Sequence, residues 1–185
     1  MKNIKEYTRV TEVLYPFSGL KCVPPEILKN AAERGTKVHE ICDALIEQIG
    51  MFNIDNKVAG YIESFNHYLP DKNFIEKPER FFCDEHMITG ECDAIYQDRK
   101  GLVLVDIKTS AKEGKTWNLQ GSAYAYLAEK YEYKITRIEF VKLCKEGKEP
   151  KIFIYQYDFQ MFLKCLDVYR KFFNNIKEED FYQFI

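Results

Sequence analysis

Two stretches of this sequence set charged side chains where strands should end: Gly90-Glu91-Cys92-Asp93 and Asp106-Ile107-Lys108. Residues two apart on a strand project to the same face, so Asp106 and Lys108 point the same way, and hairpin pairing brings Asp93 beside Asp106. Two bare carboxylates about 4 Å apart repel by about 4 kcal/mol at an effective dielectric of about 20, a conflict that a divalent cation removes. Mg²⁺ takes a few carboxylates together with waters and phosphate oxygens, so such a site is suited to hold a phosphodiester through the metal. Lys108, next to the ion, is placed to orient an attacking hydroxide or to meet negative charge growing on the phosphate. The chemistry expected is phosphodiester hydrolysis. The ordinary alternative puts Asp93 at a turn and makes Asp106–Lys108 a surface pair worth little. An acid closing the apolar run Leu102-Val103-Leu104-Val105, with a second acid on the neighbouring strand, weighs against it.

The elements that must position these groups follow from the hydrophobic pattern. Pro24-Pro25 closes an irregular opening segment and starts a helix over about Glu26 to Gln48, with Val38, Ile41, Cys42, Leu45 and Ile49 on one stripe. A second helix is expected from Val58 to Leu69, closed by Pro70-Asp71. The period then changes to that of strands: Ile75 to Cys83, Met87 to Tyr96, and the run from Leu102 that reads as buried on both faces. A helix from Thr116 to about Tyr131, strands Ile135 to Leu143 and Lys151 to Asp158, and a last helix from Gln160 to Asn175 complete the chain. Strands interrupted by a helix predict a mixed sheet covered by helices, an α/β (α+β mixed) fold. With 185 residues and no Gly/Ser/Pro-rich linker or repeat, residues 1–185 read as one domain, with the motif-bearing core at about 26–158.

Composition narrows the classes of function. The formal charge of −2 lacks the basic excess that advertises a nucleic-acid binder, so any binding groove must rest on a local basic lining. Lys108, Lys112 and Lys115, and Lys142, Lys145, Lys148 and Lys151, are the candidates. The six cysteines show no C-x-x-C pair or zinc spacing, which predicts free thiols in a reducing compartment. No signal-type segment and no apolar run of about 18 residues occurs, so a cytoplasmic protein without a membrane span is expected, in the host cytoplasm if phage-encoded.

The runs G-E-C-D-A-I, L-V-D-I-K-T-S and Q-G-S-A-Y together resemble the PD-(D/E)XK nuclease superfamily, in its RecB-like and lambda-exonuclease-like branch. Arg34-Gly35-Thr36-Lys37-Val38-His39-Glu40 is similar to that family's upstream helix, and the likeness spans roughly Gly35 to Leu143. The resemblance implies a restriction-endonuclease-like core and a Mg²⁺ or Mn²⁺ cofactor. It implies metal ligation by His39, Asp93, Asp106 and the backbone carbonyl of Ile107, with Lys108 as the catalytic lysine. Glu79 would be a further ligand, with Glu76 a near rival. Read from its own position, His39 lies at the border of the apolar stripe, where a histidine is ordinarily structural. Gln120 and Tyr124, four apart on one helical face, could reach a backbone phosphate or Lys108, or simply pack. Trp117 reads as a core anchor more readily than as a base-stacking platform. Some relatives hold an iron–sulfur cluster through grouped cysteines, whereas Cys22, Cys144 and Cys165 are isolated here, so none is expected.

The function expected is a metal-dependent deoxyribonuclease, an exonuclease acting on linear double-stranded or single-stranded DNA ends in recombination, repair or phage replication. A recombinase, single-strand annealing protein or helicase would be a separate chain. The alternatives are a structure-selective endonuclease, and a non-catalytic DNA-binding or assembly subunit on the same fold.

Overall fold

A computed structural model describes residues 3–49 and 54–173. Its elements in chain order are β1 (Thr8–Arg9), α1 (Val10–Ser18), α2 (Pro25–Ile46), α3 (Asn56–Tyr68), β2 (Asn73–Phe74), β3 (Phe81–Cys83), β4 (Ile88–Gly90), β5 (Ala94–Asp98), β6 (Gly101–Lys108), α4 (Trp117–Glu129), β7 (Ile135–Lys142), β8 (Lys151–Tyr155) and α5 (Phe159–Phe172). The final residues assigned to the last helix, from Asn174, lie outside the described residues. No helix among the described residues is long and apolar enough to cross a membrane.

The large sheet has the order β2-β5-β6-β7-β8. β5 and β6 are antiparallel, β6 and β7 parallel, β7 and β8 antiparallel. The parallel pair needs a crossover, and α4 supplies it. Alternation along β6 feeds two cores, as the continuous apolar run requires. Val103, Val105 and Ile107 pack with Val38 and Cys42 of α2 and Phe65 of α3, while Leu104 packs with α1, α4 and α5. The molecule is thus a mixed α/β fold with helices on both faces of a mixed sheet.

Four expectations need correction. The opening segment is not wholly irregular: Val10, Val13 and Leu14 are buried at helical spacing in α1, and Pro16 sits inside that helix. Ile49 lies beyond the end of α2 and is exposed, so the buried stripe stops short of it. The strand expected over Ile75 to Cys83 is cut short: only Phe81–Cys83 forms, as β3, while β2 ends at Phe74 and belongs to the other sheet. Pro78, with no N–H to give a ladder, stands in the gap. The strand expected over Met87 to Tyr96 is split: β4 joins β1 and β3 in a small sheet, and β5 joins the large one.

Opposite the α4 face, buried Glu139 accepts from Tyr68 Oη at 2.8 Å and from Tyr96 Oη at 3.2 Å, and pairs with Arg137 Nε at 2.8 Å. Its charge is fully partnered, so this network fixes α3 against the sheet and is not a reactive site. The β7–β8 turn lies against α3, where a Cβ on Gly60 would come within 1.9 Å of the Lys145 carbonyl oxygen. Because the obstacle is backbone, Gly60→Ala is expected to cost about 3 kcal/mol. That is a fall of roughly 6–12 °C in Tm for a domain of this size. A thermal melt within about 2 °C of wild type would refute the close approach.

Candidate functional site

The link 91–93 carries the chain from the small sheet to the large one, and there Asp93 meets the end of β6. Its N–H donates to the Val105 carbonyl at 3.1 Å, and its Oδ2 accepts the N–H of Ile107. Asp93 therefore stands before β5 and does not end a strand: its carboxylate takes a backbone donor of β6 that a longer ladder would have used. The other oxygen, Oδ1, lies 2.7 Å from Nδ1 of His39, which α2 brings in from the opposite face. Asp106, 3% exposed, faces α4, with Lys108 Nζ 2.6 Å from its Oδ2. That contact is close but poorly angled, and Oδ2 is buried with no aligned hydrogen-bond donor. The Asp106 Oδ1 is 3.5 Å from Gln120 Nε2, which also donates to Tyr124 Oη at 2.9 Å.

Four of the expected residues, His39, Asp93, Asp106 and Lys108, are thereby brought together. Gln120 and Tyr124 are buried, 8% and 4% exposed, and stand behind Asp106, so neither is placed to touch a DNA phosphate. Gly90 is the reason Tyr124 fits, since a Cβ there would lie 2.6 Å from the phenol ring. Trp117 stacks on Phe140 in the core, with ring centroids 5.4 Å apart. Glu79 and Glu76 are exposed residues of the link between β2 and β3, and both line a cleft of about 1240 Å³ that His39 and Asp93 also border. Glu79 thus lies in the link ahead of β3, outside any strand.

The electrostatics reflect burial set against close opposite charge. Burial pushes the Asp106 carboxyl up to about 6, with Lys108 opposing and Asp93 adding to the rise. Burial raises Asp93 too, but His39, Lys108 and the Ile107 N–H outweigh it and hold this carboxyl below the usual range. For His39, burial disfavours the charged ring, yet Asp93 at contact distance, with Asp106 behind it, lifts the imidazole to about 9.

Among the described residues no three His, Cys, Asp or Glu side chains form a ready-made metal cage. His39 and Asp93 hold each other and Asp106 holds Lys108, so the ligand atoms are engaged within the protein. The donor set still fits a hard divalent cation: two carboxylates, one with a buried oxygen met only by the Lys108 ammonium, and an imidazole within reach. It does not fit a closed thiolate site, because Cys42, Cys83 and Cys92 are buried and unpaired in the core.

One residue without a role in the sequence reading is Arg34, quoted there only as part of the upstream run. Its Nη2 reaches the Thr109 carbonyl at 3.5 Å, and its buried Nε has no hydrogen-bond partner. Only the chain's return beside Lys108 exposes that, so spacing alone could not have found it.

No protein-family model matches the chain, and no curated protein matches it. Among solved structures, it is similar to the crystal structure of SSO0001, at 14% identity and a TM-score of 0.48, over 95% of this chain and 80% of that one. It is also similar to an alkaline exonuclease (LHK-Exo) from Laribacter hongkongensis, at 10% identity and a TM-score of 0.49, over 90% of this chain and 87% of that one.

Proposed function

We propose that this chain is a Mg²⁺- or Mn²⁺-dependent deoxyribonuclease of the PD-(D/E)XK type, acting as an exonuclease on DNA ends in the cytoplasm. The observation that carries this reading is the convergence of Asp93, Asp106, Lys108 and His39 at one end of β6, from three separate elements. Asp93, Asp106 and His39 would hold the cation, with the Ile107 carbonyl and Glu79 as the further ligands implied by the resemblance. A bound divalent ion there supplies a Lewis acid for the phosphoryl oxygen and an acidified water.

The chain's own groups supply the rest. Lys108, with 21% of its side chain exposed, offers an ammonium at the mouth of the site where the phosphate's negative charge must be met. Gln120 and Tyr124 fix the rotamer of Asp106 from behind, and the Ile107 N–H fixes that of Asp93. Preference for ends, and a recombinase, annealing protein or helicase as a separate partner, rest on the resemblance of the three motif runs.

The test is digestion of linear and closed circular DNA with Mg²⁺ or Mn²⁺, with and without EDTA, by wild type and Asp106→Ala. Metal-dependent loss of linear DNA by wild type alone is the expected result. Cleavage of closed circles would reassign the chain as a structure-selective endonuclease, and equal behaviour of the two proteins would end the catalytic reading.

A further inference from the structure

Three lysines stand in one row across the large sheet. Lys108 on β6 is in register with Lys142 on β7, and Lys142 with Lys151 on β8. Laterally paired residues project to the same face, so the row lies on the face of Asp106, whose own partners across the sheet are Phe140 and Phe153. Those rings carry the lysines: Lys108 Nζ lies 5.3 Å from the Phe140 centroid, and Lys151 Nζ 4.5 Å from that of Phe153. Lys142 Nζ donates to the Ala111 carbonyl at 3.4 Å. Like charges opposite one another on neighbouring strands are destabilising. Among the described residues the ion pairing of this row is confined to Lys108 with Asp106.

The other side of the site has the opposite sign. The cleft against α2 is lined by Glu40, Asp43, Glu47, Glu76, Glu79 and Glu91, with Lys77 and His39 the basic residues among them. A phosphodiester backbone is repelled from that wall and attracted to the lysine row. Strands lie about 4.8 Å apart, so the row is roughly 10 Å long, enough for two or three phosphates of one extended strand.

We propose that Lys142 and Lys151 continue from Lys108 as the track that binds the backbone of a single nucleic-acid strand running from the site across β7 and β8. This rests on the nuclease reading for what happens at Asp106, but the track is measured separately. Binding of a fluorescent single-stranded oligodeoxynucleotide is followed by anisotropy in EDTA, at several salt concentrations, in an Asp106→Asn background. Adding Lys142→Ala and Lys151→Ala is expected to weaken binding by at least about tenfold and to lower the slope of log K against log salt by about 1 to 2. Lys145→Ala with Lys148→Ala, in the turn that packs on α3, should leave both unchanged. The melting temperature of the track variant should stay within about 2 °C of the background, because relief of repulsion between aligned like charges offsets loss of the long Lys142–Ala111 bond and the exposed Lys151–Phe153 contact.

Equal binding by the two double variants would overturn the track, as would a fall in Tm that accounts for the loss. Nuclease activity in wild type together with undiminished binding by the track variant would sink the track alone. Absence of cleavage in wild type with the expected binding loss would sink the nuclease reading and keep the track.

Discussion

Asp106→Asn is expected to remove metal-dependent cleavage by about 10²–10³-fold or more, while leaving the protein at least as stable as wild type above pH 6. The second half of that expectation separates a functional acid from a structural one. Asp106 is 3% exposed and its carboxyl sits at about 6, raised chiefly by burial and further by Asp93. A carboxyl raised on folding favours the folded state most fully below its unfolded value near 3.8, and this contribution is lost as pH rises through about 6. Above that pH, the ionised form costs on the order of 2–3 kcal/mol relative to a group with no shift. Asparagine keeps an oxygen for Gln120 Nε2 and carries no charge, so the cost disappears. Against this, Lys108 loses its partner, but its side chain is 21% exposed and water can replace the pair cheaply. Thermal melts of both proteins in EDTA from pH 4 to 8 check the balance: wild type should lose ground to the variant as pH rises through 6. A variant that melts well below wild type at pH 8 would mean that the acid serves the fold.

The parts of this arrangement legible in the sequence were those governed by local period. The run from Leu102 to Lys108 could only be a strand buried on both faces, and its parity put Asp106 and Lys108 on one side. The α2 stripe likewise showed Val38 and Cys42 facing inward. What escaped was set by pairing between distant segments. The gap between strands around Lys77-Pro78 and the division at Glu91-Cys92 follow from a small sheet built on β1, and α1, which follows it, carries Pro16 across an otherwise readable helical pattern. The burial of Gln120 and Tyr124 behind Asp106 depends on how closely α4 lies over Gly90, a distance that spacing does not encode. The lysine row depends on two strand registers at once, and the seven lysines named from the sequence divide only when those registers are known: Lys142 and Lys151 join Lys108, whereas Lys145 and Lys148 fall in a turn against α3.

The second large effect concerns protons released when a cation binds. Asp93 holds the His39 imidazole protonated up to about pH 9, and the Asp106 carboxyl protonates below about 6. A metal can use the imidazole nitrogen only after its proton has left, so each pH unit below 9 costs a factor of about ten in affinity. Between pH 6 and 9 the Mn²⁺ association constant of wild type should therefore rise by about 10³-fold, with close to one proton released per ion. Below pH 6 a second proton, from Asp106, should steepen the dependence. His39→Ala removes the first titration, so its affinity at pH 9 should drop below that of wild type while its curve between 6.5 and 9 flattens. Titration calorimetry in buffers of different ionisation enthalpy measures both the affinity and the proton count, and needs no substrate. If wild type binds Mn²⁺ with no proton release in that range, His39 keeps its proton and remains a partner of Asp93. The cation would then rest on the carboxylates alone, and the imidazolium would stay as a fixed positive charge beside the phosphate.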